Sequence, residues 1–354
     1  MKTVLKSAMA VLLAAVLLLG AIGCSSGDQT WSAKSGDTTL SIGSYIYFLA
    51  VASSDAAKLV EDSDQPVLKQ TVEGEDAETW IRNKAEYYVK YYFAILKMMN
   101  DRGITLTEEE KNAAATQAAY YWNQSSSQME GYGIALASYT TATAEQSQMI
   151  TKLFRNIYGK GGEKEVPDSD LQTYFEDNYA SYAYLAQYLF TYGEDGKATA
   201  MDDDQKAAVK KELEGYIERY NNGSMTLDEV VEAYKKTEYY QALHTDDTES
   251  TEVLKESVEK LTEDSTIGAA VLGIEAGKAA LADLSGSGAY YVVFRHDIKE
   301  KTAEWLADET DRNELLSGLK NEEFQAMVED EIASVEVEFN TGAMQAQKVS
   351  KFFK

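Results

Sequence analysis

Cys24 is the only cysteine in 354 residues, so no disulfide can tie one part of this chain to another. Whatever it folds into must be held by packing and hydrogen bonds alone. The material for that is present: 44% of residues are hydrophobic and 24 are tyrosines, while only two are prolines. Few prolines and many aromatics predict an ordered globule rich in helix, long enough for two domains or one domain carrying an insertion.

The position of that cysteine matters as much as its solitude. Lys2 and Lys6 form a positive start, Ala8 to Ile22 run almost without a polar atom, and Gly20-Ala21-Ile22-Gly23 supplies small residues before Cys24. The apolar run falls short of the ~20 residues a comfortable membrane span needs. Ser25-Ser26-Gly27-Asp28-Gln29 follows as a polar spacer without a stop-transfer cluster. Ala21-Ile22-Gly23-Cys24 resembles the bacterial lipobox, with Ala where Leu is commoner. The resemblance implies cleavage of a lipoprotein signal peptide, residues 1–23, and lipid on Cys24. Two acyl chains anchor stably where one holds only marginally, so the expected place is extracytoplasmic, lipid-anchored to the bacterial cell membrane. An ordinary cleaved signal with an incidental cysteine is the plainer alternative.

Lipidation would leave the mature protein without a thiol, which excludes thiolate catalysis and cysteine metal sites. His244 and His296 lie far apart, with no partner at ligand spacing. No metal and no cofactor are expected, and surface placement is the plain reading of both histidines. Cleavage would also remove two basic residues and no acid, leaving 31 basic against 59 acidic residues, a net −28. Such a surface repels nucleic acid. Glu108 to Glu110, Asp202 to Asp204 and Asp246-Asp247 read as helix starts and solvated loops. No calcium loop, nucleophile elbow or phosphate loop is found.

Along the chain, residues 24–38 read as a tether. Thr39-Leu40-Ser41-Ile42 is a short strand, and Ser44 begins a helix bearing Tyr45, Phe48, Leu49 and Ala52. Trp80, Ile81, Ala85, Tyr88, Tyr91, Tyr92, Ile95 and Met99 recur at helical steps and predict a helix from about Ala77 to Arg102, closed by Gly103. Thr107 and Glu110 fit a capping box, as do Thr226 and Glu229. A helix from about Ala144 to Tyr158 precedes Gly159-Lys160-Gly161-Gly162, the clearest linker. Beyond it lie a helix from Pro167-Asp168, a strand from Tyr182 to Tyr192, and a helix from Asp202–Asp204 to Asn221. The segment Thr245–Thr251 reads as exposed loop, Val253 to Leu261 as helical, and Ile267 to Leu272 as a short element. Tyr290 to Phe294 is a second strand, Glu309 to Ile332 an amphipathic helix, and Val335 to Phe339 a closing strand.

This order resembles the SurA/PrsA class of extracytoplasmic foldases, a peptidylprolyl isomerase family of parvulin type. Four places carry the resemblance: Leu40-Ser41-Ile42-Gly43-Ser44-Tyr45; Arg102-Gly103-Ile104-Thr105-Leu106-Thr107-Glu108-Glu109-Glu110; Val166-Pro167-Asp168-Ser169-Asp170-Leu171-Gln172-Thr173-Tyr174-Phe175; and the final amphipathic helix. It implies an α+β, mostly helical fold. A helical chaperone domain over 39–165 would be completed by a C-terminal helix and strand over 301–354, with a parvulin-like α/β domain inserted over 166–300. The implied partners are unfolded or secreted polypeptides, met without nucleotide.

Parvulins place one histidine on the first strand of that domain and another on the last. Here Ala186-Gln187-Tyr188-Leu189 puts Gln187 at the first position, and Gly288-Ala289-Tyr290-Tyr291 puts Tyr291 at the second, or Tyr290 one register away. The isomerase domain is thus degenerate by resemblance: a chaperone is the expected function and an active peptidylprolyl isomerase the alternative. A solute-binding lipoprotein of a transporter is the third class, usually α/β throughout, whereas the first half here is poor in strands. The cluster Tyr87-Tyr88, Tyr91-Tyr92-Phe93 cannot be buried on every side of one helix. Tyr88, Tyr91 and Tyr92 are therefore the candidates for client binding, against a plainer role in core packing.

Overall fold

In a computed structural model, residues 30–192, 197–243, 253–261 and 267–353 are described. The described residues form two compact units, one of those up to 165 together with those from 320 onward, the other of those within 166–319. The class is α+β, mostly helical.

The first unit opens with β1 (Trp31–Ser35) and β2 (Thr38–Ser41), then α1 (Ile42–Leu59), a small hairpin of β3 (Thr71–Val72) and β4 (Glu75–Asp76), and α2 (Ala77–Asp101). α3 (Glu108–Gly131) and α4 (Leu136–Thr140) follow, and a π turn over Thr141–Glu145 leads into α5 (Gln146–Tyr158). The helix starts are written locally. The Ser41 hydroxyl accepts from the Ser44 amide, and Thr107 and Glu110 close a reciprocal capping box. α2 ends where Gly103 adopts a left-handed φ of +66°, a region that costs a side chain dearly, and the Ile104 amide donates back to the Met99 carbonyl.

The second unit begins with α6 (Asp168–Asn178), β5 (Tyr179–Tyr188), the hairpin β6 (Phe190–Tyr192) and β7 (Ala198–Ala200), and α7 (Asp203–Asn221). Next come α8 (Leu227–Tyr234), α9 (Glu238–Leu243), β8 (Leu254–Lys260), α10 (Gly268–Leu272), β9 (Ala279–Leu284), β10 (Ala289–Arg295) and α11 (Lys299–Ala307). The main sheet runs β8-β5-β10-β9, every pair antiparallel. One face packs Leu185, Tyr290, Val292 and Phe294 against Val209, Leu213 and Tyr216 of α7 and Val230 and Tyr234 of α8. Among the described residues, the other face meets the short α10 region through Ile267, Val271 and Ile274. Phe175 of α6 stacks on Trp305 of α11, centroids 4.8 Å apart.

α12 (Glu309–Ser334) starts in the second unit, and its residues from Lys320 onward belong to the first. There Phe324 meets the Phe154 ring edge-on at 5.3 Å, and the Tyr158 hydroxyl reaches the Met327 sulfur at 3.4 Å. β11 (Glu338–Phe339), α13 (Thr341–Gln345) and a 3₁₀ turn over Val349–Phe353 complete the first unit.

Two expectations need correction. The tether does not extend to residue 38, because Trp31–Ser35 is the middle strand of a sheet ordered β11-β1-β2. Ser32 and Ala33 are fully buried, and the Ser32 hydroxyl donates to the Ser41 carbonyl at 2.9 Å. Val253 to Leu261 is not helical: β8 pairs along β5 from Tyr179↔Lys260 to Leu185↔Leu254. Its Lys and Glu residues favour helix, but pairing on a sheet edge overrides so weak a preference.

Candidate functional site

In the first unit, Lys84, Tyr87, Tyr88 and Tyr91 form one stripe along α2, at the three- and four-residue steps that place side chains on a common face. With Tyr47, Phe48 and Val51 of α1, and with Ala142 and Gln146 at the π turn, they line a hollow of about 420 Å³. A π turn fits one extra residue into the helical circuit, and such bulges are frequent at functional places.

The rings are fixed by their polar ends. The Tyr88 hydroxyl donates to Asp55 at 2.8 Å, and the Tyr87 hydroxyl donates to Glu329. Lys84 Nζ lies 4.6 Å from the Tyr87 centroid and 5.3 Å from that of Tyr88. Burial pushes the phenol pKa values of Tyr87 and Tyr88 upward, and the accepting carboxylates push them further. Burial also raises that of Tyr91. All three therefore stay neutral at physiological pH, with half-buried ring faces lining the hollow. Such rings offer contact area with little entropy left to lose.

Of the sequence candidates, Tyr88 and Tyr91 line this hollow and Tyr92 does not. Tyr92 is 8% exposed and meets Phe93 edge-on at 5.4 Å, so it belongs to the core. Tyr87 and Tyr47 were not candidates. Both sit at helical steps from apolar neighbours, on the flank of the buried stripe rather than within it.

In the second unit, Tyr290 pairs with Gln187 across the sheet, and Tyr291 pairs with Ala186. Gln187 is 1% exposed on the helix-covered face: its Nε2 donates to the Tyr188 carbonyl at 2.6 Å, and its Oε1 accepts from the Tyr234 hydroxyl at 2.9 Å. Tyr290 shares that face. Tyr291 lies on the other, with Tyr184 at 5.5 Å, lining a hollow of about 560 Å³ with Tyr182, Lys255, Glu259 and Ile267. Gln187 and Tyr291 are not brought together.

His296 follows β10, and its backbone amide donates to the Ser181 carbonyl at 2.8 Å. Cys24, His244 and the segment Thr245–Thr251 lie outside the described residues. Among the described residues, no three His, Cys, Asp or Glu side chains are grouped to hold a metal ion, and no helix is long and apolar enough to cross a membrane.

These features define a two-unit α+β chain whose first unit presents an aromatic hollow. No protein-family model matches the chain, and no curated protein matches it. Among solved structures it is similar to the foldase protein PrsA from Streptococcus pneumoniae, at 12% identity over 78% of this chain and 94% of that one, with a TM-score of 0.36. It is also similar to the foldase protein PrsA from Lactococcus lactis (12% identity, 92% and 99% covered, TM-score 0.35). A third is PrsA from Bacillus subtilis (15% identity, 80% and 88% covered, TM-score 0.25).

Proposed function

We propose that this protein is a chaperone that holds unfolded, secreted polypeptides on the tyrosine-lined surface of its first unit. It would be kept at the outer side of a bacterial cell membrane by lipid on Cys24. The carrying observation is the hollow itself: half-buried Tyr47, Tyr87, Tyr88 and Tyr91 around about 420 Å³, with the Tyr87 and Tyr88 hydroxyls tied to carboxylates. Rings pinned this way bind apolar side chains of many sequences, because contact area rather than a fixed hydrogen-bond pattern supplies the affinity. Binding of this kind consumes no nucleotide. The strongly acidic surface repels nucleic acid and the anionic polymers of a cell envelope.

The test is suppression of aggregation of a denatured secreted protein by the purified mature chain. Replacing Tyr47, Tyr87 and Tyr91 together by Ser should leave the helical circular dichroism intact and weaken client binding about tenfold, ~1.4 kcal/mol. Equal protection by variant and wild type would remove the hollow from the mechanism. No protection by wild type at several-fold excess would sink the chaperone reading. Separately, Cys24→Ser should move the protein from the membrane to the soluble fraction, and retention at the membrane would count against the lipid anchor.

A further inference from the structure

Tyr47 and Val51 have a second side. Beyond them, α1 and the C-terminal end of α3 enclose a groove of about 460 Å³, whose walls include Ser53, Met129 and Tyr132 and whose remaining side is formed by Phe352 and Phe353. That volume lies within the range of small-ligand pockets, ~300–1,000 Å³.

The 3₁₀ turn over Val349–Phe353 sits on this groove as a peptide would. Val349 is 1% exposed and anchors it. Lys351 Nζ donates to the Tyr132 carbonyl at 2.7 Å, and the Phe352 ring meets that of Tyr132 edge-on at 4.8 Å. Phe352 and Phe353 are themselves only half buried, so the segment leaves the groove partly unfilled.

Ser53 supplies an independent observation. The residue is 2% exposed, yet its hydroxyl has no hydrogen-bond partner. A serine within a helix commonly bonds back to the carbonyl four residues earlier; this one does not. Leaving a buried hydroxyl unpaired is costly, so native structures rarely do it without a reason. A purely apolar ligand would leave it so, whereas the backbone of a polypeptide carries both a donor and an acceptor for it.

We propose that this groove is a second binding site, for a short polypeptide stretch with adjacent aromatic side chains. Residues 349–353 are its resident occupant, which an incoming chain displaces. The inference rests on the reading that the protein binds unfolded polypeptide, and it adds a built-in competitor to that activity. A resident segment lowers apparent affinity by the fraction of time it fills the site.

The probe is a fluorescently labelled hexapeptide with the sequence of residues 349–354, its binding followed by anisotropy. The double variant Phe352→Ala/Phe353→Ala keeps the Val349 anchor and should bind the peptide about tenfold more tightly than wild type, as expected if the native segment holds the site ~90% of the time. Adding Ser53→Ala should weaken the peptide again without lowering the melting temperature, since that hydroxyl has no partner to lose. Equal or absent peptide binding in wild type and the double variant overturns the displaceable segment, whether or not aggregation is suppressed. An unchanged affinity on Ser53→Ala overturns the role of the hydroxyl. Tight peptide binding by a protein that fails to suppress aggregation keeps the groove and overturns the chaperone reading.

Discussion

Gln187 on β5 and Tyr291 on β10 are one register position apart on neighbouring strands, and their side chains leave opposite faces of the sheet. Gln187 lies beneath α8, where its carbonyl oxygen accepts from the Tyr234 hydroxyl. Tyr291 lies beside Tyr184 on the opposite face, where the α10 region packs. Two groups separated by a sheet cannot hold one substrate amide between them. The buried amide of Gln187 instead satisfies a phenol that burial would otherwise leave with a single carbonyl partner, at Ala186.

Gln187→Ala should therefore lower stability by ~0.5–1.5 kcal/mol, the usual net worth of a hydrogen bond, because the Tyr234 hydroxyl keeps its Ala186 partner. Tyr291→Phe should change it by no more than ~0.5 kcal/mol. Urea unfolding followed by circular dichroism measures both. A Gln187→Ala protein as stable as wild type would show that Tyr234 does not need the amide.

Adjacent tyrosines on α2 should behave differently. Tyr92→Ala empties a core position and should cost ~3–5 kcal/mol, as for other large aromatic deletions. Tyr91→Ala, on the hollow, should cost about 1 kcal/mol, the centre of the distribution for point variants. Thermal melts of the two variants side by side decide it. Equal destabilisation would mean that the hollow is packed as tightly as the core.

Acid should weaken the first unit through Glu323. Its carboxylate sits 2.8 Å from Lys320 Nζ and 3.0 Å from Lys164 Nζ, and these ammonium groups hold its pKa down to about 2. A folded pKa below the unfolded value contributes stability at pH above the ordinary carboxylate range. That contribution is lost as pH falls from the unfolded value of 4.5 toward 2. The group is well exposed, so the effect is small, below ~1 kcal/mol. Glu323→Gln should flatten the stability profile in that window and leave it unchanged in shape above pH 6. A variant as acid-sensitive as wild type would show that solvent screens the pair completely. In the second unit, Lys210 and Ser285 likewise hold Asp283 down to about 2, so acid sensitivity should persist in part.

Much of the helical framework was legible because its signals are local. The Thr107–Glu110 and Thr226–Glu229 boxes each lie within four residues, and both form as the spacing predicts. The acids at 202–204 open α7, with the Asp202 side chain accepting from the Gln205 amide. The α2 periodicity was equally plain, but it could not rank the rings on its two flanks. Which of Tyr87, Tyr88, Tyr91 and Tyr92 faces the hollow depends on where α1 and the π turn lie against α2.

The sequence by itself determined where helices begin, the absence of cross-links, and a polar charge balance that shapes solubility, since each depends on residue type or near neighbours. Only the tertiary structure decided what pairs at long range. With Cys24 the only cysteine, packing and hydrogen bonds close the chain, and β1 joins β11 through Ala33↔Phe339 across some three hundred residues. A strand's partner and facing are set by pairing energies that no local window contains. That is why Trp31–Ser35 read as tether and Val253 to Leu261 as helical, and why only the folded sheet placed Gln187 against Tyr234 in the core.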